Sequence, residues 1–360
     1  MPIDFRHPLI LLLAAAFVSA QVLDFTALPA AARVGGCALP PRQVQEDGAT
    51  LLKLDAVFTQ DARDRAVWDI PIRFDLSQMT GVTLRLHGSN LDSVSRASVA
   101  IRADMHWHEA ALHPDGDGKW ADLFISKATF LALRPSSWSQ ADMLRITLRK
   151  KVPGRVTLLA AKIAFEKPGT GIALLPGEGI SGRMRARRLA ETLASAGILP
   201  AVIDGNDTTL QLVRPYRMLL LPTPGNLQPH HQRMLADYLR NGGHLGLFGS
   251  VPPPLAAHMG IPVGRLIENP AGLDGIQPVP EHIPGARSCP YAPPAVVTFA
   301  RVPTGTQAAA WWLDADGSRT EYPAVLLTPR GFWMTAPAPD DASPEAATFL
   351  RALLSASPAR

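Results

Sequence analysis

The sequence predicts two domains in series: an antiparallel β-sandwich, then an α/β domain built on a parallel sheet. Between residues 48 and 168, short runs alternate apolar and polar side chains and are broken by turn residues, the pattern of strands with one buried face. From residue 170 to 357 the apolar runs lose that alternation and are separated by helical stretches, the pattern of strands buried on both faces. The chain has 360 residues, 47% of them hydrophobic, which is enough apolar material for two cores.

Residues 1–20 read as an export signal. Arg6 and His7 precede an apolar run over 8–17, shorter than the roughly 20 residues a membrane span needs. Val18, Ser19 and Ala20 put small or apolar residues where a signal peptidase reads, so cleavage is expected between Ala20 and Gln21, leaving an exported, periplasmic or extracellular, chain. The weakly basic start leaves an uncleaved N-terminal anchor as the alternative. No later stretch is long and apolar enough to span, so no membrane span is expected after cleavage. Residues 21–47, rich in Ala, Pro and Gly, are expected as an extended lead-in.

The first domain follows strand by strand. In residues 67–76 (VWDIPIRFDL), Trp68, Ile70, Ile72 and Phe74 share a face, and residues 82–86, 97–101, 120–125, 144–148 and 156–165 repeat the pattern. In the second domain, strands are expected at 171–176, 199–203, 216–222 and 244–248, with a helix over 182–196 and another from Pro229 to Asn241 stopped by Gly242-Gly243. Residues 250–294, crowded with Pro and Gly, read as a long excursion with a short helix near 255–259. Strands resume at 295–300, 307–313, 323–327 and 331–335. A last helix starts at Ser343, an N-cap followed by Pro344 and Glu345.

Charge excludes one class of partner. The net charge of +4 is small for this length, and no basic stripe carries interleaved aromatics, so nucleic acid is not an expected partner. The dense cluster Arg183, Arg185, Arg187 and Arg188 reads as a solvated helix face. An oxidising compartment would permit a disulfide between Cys37 and Cys289, with two thiols as the alternative; spacing does not decide between them. No metal and no cofactor is expected: two cysteines without a nearby His pair do not make a zinc site, and His230-His231 on a helix point apart. His106 and His108 share a strand face opposite Trp107. Asp115-Gly116-Asp117-Gly118 could hold Ca²⁺ but reads first as a hairpin turn.

Two strings carry resemblances. In the second domain GIALLPGEG, a helix, a strand ending at Asp204, and then YRMLLLPTPGNLQPHHQRMLADYLRNGGHLGLFGS resemble the class I glutamine amidotransferase-like superfamily, most closely the β-galactosidase trimerisation-like modules attached to glycoside hydrolases. This implies a flavodoxin-like three-layer α/β domain over residues 171–357. In the first domain the string KWADLFIS with Phe130, Trp138 and LRITL is similar to carbohydrate-binding-like sandwiches of jelly-roll or galactose-binding-like form found beside glycoside hydrolases. Together they resemble part of large bacterial glycoside-hydrolase-like proteins, without room for a (β/α)₈ barrel of roughly 250 residues.

The resemblance also places a candidate site. The amidotransferase nucleophile is a Cys on the sharp turn after a central strand, and that position falls on Phe248, which cannot attack a carbonyl. Candidate pocket residues at the strand C-terminal ends are Gly177, Glu178, Gly179, Asp204, Thr223, Asn226, Phe248, Gly249 and Ser250. The expectation is a non-catalytic module of a carbohydrate-processing system, binding glycan or acting as an assembly scaffold, with a glycoside hydrolase partner or self-association. One alternative is a hydrolase using Ser250 as a displaced nucleophile, with His282 the only histidine after Glu268. Another is a nucleotide-binding protein using Gly177–Gly182, a GxGxxG string after a strand, with Asp204 as the ribose acid. Trp107 is the candidate glycan contact, Trp120 and Trp138 are expected in the sandwich core, and Trp311-Trp312 should point one ring each way.

Overall fold

Strand alternation puts every second side chain on one face, and the first half of the chain uses it to enclose an apolar interior between two sheets. The computed structural model describes residues 20–26, 28–60, 64–113, 118–130, 136–168, 171–262, 264–268, 270, 272–299, 301–339 and 343–357. The export-signal residues 1–19 and Asp115, Gly116 and Asp117 of the hairpin lie outside them. The strands of this half are β1 (Gln21–Val22), β2 (Arg33–Gly36), β3 (Arg42–Glu46), β4 (Ala49–Phe58), β5 (Arg65–Phe74), β6 (Gly81–Ser89), β7 (Val94–Ala103), β8 (His106–Leu112), β9 (Trp120–Ser126), β10 (Ala141–Lys150) and β11 (Gly154–Glu166).

One sheet has the order β3-β4-β11-β6-β9, with β1 also paired to β11; the other has the order β2-β5-β10-β7-β8. All of these pairs are antiparallel. In the second sheet the register lines up Trp68, Ile146, Val99 and Ala110 across four strands. These side chains pack with Leu54, Leu84, Leu86, Leu158 and Ile163 of the other sheet in one buried core, so this half is a β-sandwich.

The segment expected as a lead-in is part of that sandwich. β1, β2 and β3 join the two sheets, and Leu23, Phe25 and Leu28 enter the core, the last from the short helix α1 (Leu28–Ala31). Its strands run two to five residues and are interrupted by Gly35, Gly36, Pro40 and Pro41, so no readable alternation survives.

The second half adds β12 (Ile172–Leu174), α2 (Gly179–Ser195), β13 (Ala201–Val202), α3 (Leu210–Val213), β14 (Met218–Leu221), α4 (Pro229–Arg240), β15 (His244–Phe248) and α5 (Pro253–His258). Then come β16 (Arg265–Glu268), β17 (Leu273–Pro278), β18 (Cys289–Pro290), β19 (Ala295–Thr298), β20 (Gln307–Asp314), β21 (Arg319–Thr328), β22 (Gly331–Met334) and α6 (Pro344–Ala356). The main sheet has the order β13-β12-β14-β15-β22-β21-β20-β17-β18. From β13 to β22 neighbouring strands run parallel, and beyond β22 they run antiparallel. Leu189 and Leu193 of α2 and Phe349 and Leu353 of α6 cover one face. Leu235 and Leu239 of α4 and Leu255 of α5 cover the other. Ser343 caps α6, its Oγ accepting from Ala346 N at 3.2 Å. The excursion over 250–294 is more ordered than its Pro and Gly content suggests: β17 and β18 extend the sheet, and β16 pairs with β19 in a separate ribbon. No described helix is long and apolar enough to cross a membrane.

The halves meet along β13, the edge of the parallel sheet. Val202 N donates to Met79 O at 3.3 Å, Tyr216 Oη donates to Gln78 Oε1 at 3.1 Å, and Ala128 of the sandwich is buried in the α/β core. An edge strand exposes unpaired backbone groups, and here the sandwich takes one of them.

Replacing Trp68 by Ala removes the centre of the sandwich core and the Nε1–H that Leu39 O accepts at 2.9 Å. The expected loss is about 3–5 kcal/mol, read by urea denaturation; a loss below about 1 kcal/mol would contradict the packing described.

Candidate functional site

Ligands of open α/β sheets gather beyond the carboxyl ends of the parallel strands, where successive helices leave on opposite faces. Here that place lies between β12 and β14, whose following helices α2 and α4 cover different faces. The loops after these strands touch: a Cβ on Gly177 would fall onto Thr223 Oγ1. Every glycine of the GxGxxG string has a steric reason. Gly177 meets Thr223, Gly179 has φ +73°, and a Cβ on Gly182 would lie 2.6 Å from the Gly177 carbonyl. Glu178 is the N-cap residue of α2, but its side chain makes no capping bond; its Oε2 accepts from Gln228 Nε2 at 2.7 Å instead.

Asp204 is fully buried and committed elsewhere. Its Oδ1 accepts from Arg183 Nη2 at 2.8 Å and Gly205 N at 2.7 Å. Its Oδ2 accepts from Arg183 Nη1 at 3.3 Å, and across the domain junction from Ser136 N at 3.2 Å and Trp138 Nε1 at 3.3 Å. Asp207 adds to the junction, accepting from Trp138 N at 2.8 Å and Ser137 Oγ at 2.9 Å. Burial raises the Asp207 carboxyl above its usual range, against those two hydrogen bonds. The predicted ribose acid is therefore a structural hub, and the nucleotide reading loses the residue it depends on.

Lys127 lies over the Trp138 ring, wholly buried. Its Nζ donates to Leu76 O at 2.9 Å and Ser77 O at 2.7 Å, 4.9 Å from the Trp138 ring centre. Burial pushes its ammonium down to about 7, opposed by Asp204, Asp207 and Asp75. His108 stacks on Trp138 with ring centres 4.7 Å apart, and burial lowers its pKa. Sequence reasoning missed Arg183 and Lys127. For Arg183 a signal existed: it lies on the buried helical face with Ala186, Ala190 and Leu193, not on the solvated face expected for the Arg cluster.

Thr223, Phe248, Gly249 and Ser250 do come together, lining an open cavity of about 390 Å³ with Arg185 and Glu268. Asn226 lies in the adjacent short turn Pro224–Asn226. The turn is not built for acyl transfer. The Phe248 side chain is buried edge-on against Phe332 at 5.6 Å. Positive φ falls on Gly249 (+72°), whose N–H is taken by Met334 O at 3.0 Å. The residues lining this cavity include no histidine, and the carboxylate among them is Glu268. The predicted pocket residues thus divide among three environments: the Gly177–Gly179 loop, the buried junction and this cavity.

The sandwich carries a second group. Trp107 is half-buried on the outer face of the edge strand β8. The Arg145 guanidinium lies 3.9 Å from its ring centre and that of Arg102 5.7 Å away. Both arginines are held by two-point pairs: Arg145 to Asp69 at 2.6 and 2.8 Å, and Arg102 to Asp142 at 2.7 and 2.7 Å. The hydrogen bond from Arg102 holds the Asp142 carboxyl below its usual range. Trp138 is buried as expected, but Trp120 is 39% exposed on the outer face, tilted against His87 at 5.4 Å. The phase of β9 is set by the inward Ala121 and Ile125, which leaves Trp120 with Asp122 outside. Trp312 is buried and Trp311 lies under Arg319 at 3.9 Å, one ring each way.

Cys37 packs on the sandwich core and Cys289 within the α/β core, where its Sγ–H donates to Pro290 O at 3.6 Å; the two are not bonded to each other in this structure. His230 and His231, expected to point apart, have ring centres 4.0 Å apart.

No known family model matches the chain, and no curated protein matches it. Among solved structures it is similar to a family 11 carbohydrate-binding module of a cellulosomal cellulase of Clostridium thermocellum, at 11% identity over 41% of this chain and 95% of that one, with a TM-score of 0.31. A family 11 module from the same organism, solved in complex with a β-1,3-1,4-mixed-linked tetrasaccharide, is 14% identical over 41% of this chain and 95% of that one, with a TM-score of 0.31. An α-L-fucosidase isoenzyme 2 from Paenibacillus thiaminolyticus is 16% identical over 51% of this chain and 32% of that one, with a TM-score of 0.37. Likeness at these scores carries no argument about what this chain does.

Two outcomes test the junction. Asp204→Asn leaves the buried Arg183 without its counter-charge and is expected to cost about 3–5 kcal/mol in chemical denaturation. Lys127 binds its proton less tightly folded than unfolded, so between pH about 7 and its ordinary 10.5 the unfolded chain holds the extra proton and stability rises with pH. Below that window both states are protonated and the burial cost is felt in full. Lys127→Met is expected to lose the slope, read from melting temperatures across pH 7–10.

Proposed function

We propose that the protein is an exported, non-catalytic module of a carbohydrate-processing system, whose sandwich binds glycan and whose α/β domain serves as scaffold or assembly surface. The observation that carries this reading is the Trp107 face. The Trp107 ring sits on an edge strand with the Arg145 guanidinium stacked over it and that of Arg102 farther off, and both arginines are fixed by two-point pairs to Asp69 and Asp142; the ring face turned away from Arg145 is the one offered to a ligand. A sugar ring presents C–H groups to an aromatic face and hydroxyls to its surroundings, so it asks for such a combination of apolar surface and prepaid hydrogen-bonding groups. Because the pairs hold the side chains in place, little rotamer freedom is lost on binding.

We further propose that the sandwich is of the jelly-roll or galactose-binding-like kind and that the α/β domain is a flavodoxin-like, amidotransferase-like frame. Supporting the second point, the parallel strands lie in the order 2-1-3-4-5 by appearance and carry helices on both faces. The buried Phe248 at the end of β15 favours scaffold over acyl transfer. Export rests on residues 1–20 and accords with work on extracytoplasmic glycan, alone or beside a hydrolase or a second copy.

Screened on a glycan array, the wild-type protein is expected to bind and Trp107→Ala to lose at least about tenfold in affinity, about 1.4 kcal/mol, with unchanged melting. Absence of binding to any glycan would remove the reading.

A further inference from the structure

A second, smaller cavity of about 150 Å³ lies between the start of α2, the first turns of α4 and the turn Gly205–Asp207. Its polar side-chain lining comes from Glu178, Arg183, Thr208, His230 and His231, the Thr208 hydroxyl being spent on Asp204 O, and its apolar lining from side chains such as Leu175, Met234 and Leu235. Two buried nitrogens in this lining have no hydrogen-bond partner among the described residues: Arg183 Nε and His231 Nε2. Arg183 is only 5% exposed, and its two terminal nitrogens are spent on Asp204. A buried polar group left without a partner destabilises the fold unless something satisfies it.

The chemistry of the lining narrows what could do so. Arg183 is neutralised by Asp204, and Glu178 adds a carboxylate whose Oε2 accepts from Gln228 Nε2 at 2.7 Å, so an anion is not favoured. Burial, with His230 alongside, holds His231 below the usual imidazole range, against Glu178 and the Gly205 backbone; the ring is neutral at neutral pH. Among the described residues no three His, Cys, Asp or Glu side chains are grouped to hold a metal ion. What remains is a hydroxyl. It accepts from Arg183 Nε–H, and it can donate to or accept from His231 Nε2, whichever tautomer is present. An apolar cavity of similar volume encloses a ring of about six heavy atoms, so a hexose with about twelve would enter by one edge and keep its remaining hydroxyls at the mouth; here one wall is apolar and the other polar.

We infer that this cavity receives one edge of a single ring of an uncharged sugar, with one hydroxyl bridging Arg183 Nε and His231 Nε2 and C–H groups against Met234 and Leu235. The choice of sugar among hydroxylated rings rests on the glycan reading above; the geometry of the cavity does not. It would be a site distinct from the Trp107 face, in the other domain.

Saturation-transfer NMR tests it, using glucose, galactose and mannose, their methyl glycosides and the corresponding disaccharides at millimolar concentration. The variants are His231→Phe, Met234→Trp and Trp107→Ala. The expected result is transfer to sugar C–H protons in wild type and in Trp107→Ala, reduced at least about fivefold in both cavity variants while their melting and array binding stay unchanged. A response to monosaccharides marks a free sugar as ligand; a response to disaccharides alone marks a chain end. The inference falls if no sugar gives transfer in wild type, if both cavity variants keep it, or if Trp107→Ala alone abolishes it. Array binding without cavity transfer would leave the Trp107 reading standing, and cavity transfer without array binding would remove only that reading.

Discussion

The buried pair Arg183–Asp204 is the interaction on which the arrangement of this protein depends. A carboxylate with no exposure to water has to be paired and fully hydrogen-bonded to offset its lost hydration. Asp204 meets that demand with donors from both halves of the chain: the Arg183 guanidinium from its own domain, and Ser136 N and Trp138 Nε1 from the sandwich. The consequence is geometric. A rotation of one domain against the other would strand the charge, so the junction tolerates one docking. Such pairs contribute less to net stability than an apolar replacement of equal volume, and their value here is in specifying that docking.

The same commitment explains why the strand ends read as a ligand site and are not a single one. A short loop, a helix N-terminus and an acid at the end of the next strand are the parts of a nucleotide site. In this fold they are the parts of a domain interface. The three glycines are accounted for by contacts with Thr223, by a left-handed φ and by the approach of α2 to its own loop. At the end of β15, the position that a nucleophile would occupy holds a core side chain, and the N–H that would meet an oxyanion is bonded to Met334. What the frame leaves open are the spaces beside these filled positions.

The architecture was largely legible because it depends on periodicity. Strands β5, β6, β10 and β11 announce themselves by alternation, β12, β14 and β15 by unbroken apolar runs, and α4 and α6 by their stops and caps. The short strands β1 to β3 were not legible, since two to five residues carry no period. Trp120 was misplaced because size was weighed above phase: the aspartate two residues on already marked its face as outer. Trp107 was identifiable as outward from the same kind of phase argument, but its guanidinium neighbours come from β7 and β10 and are set by register, which one strand's sequence does not contain. The polar junction was hidden for a related reason. Arg183 and Lys127 look like surface residues in composition, although both are buried; for Arg183 only the phase of its helix marks this, and for Lys127 its partners Leu76 and Ser77 lie about fifty residues away in the chain.

The pairing of β1 with the end of β11 bears on how the chain reaches this state. Gln21 lies opposite Phe165, so the first and last strands of the sandwich are neighbours, beside the crossing into the α/β domain. Contacts of such sequence separation carry the largest loop-closure cost and form late. Synthesis therefore has to deliver the whole sandwich before its opening segment can find its place, and that segment waits as an unpaired strand in the meantime. Because the two ends of the sandwich emerge side by side, it also has the form of a cassette, one that could be spliced into a surface loop of another protein without prising its host apart.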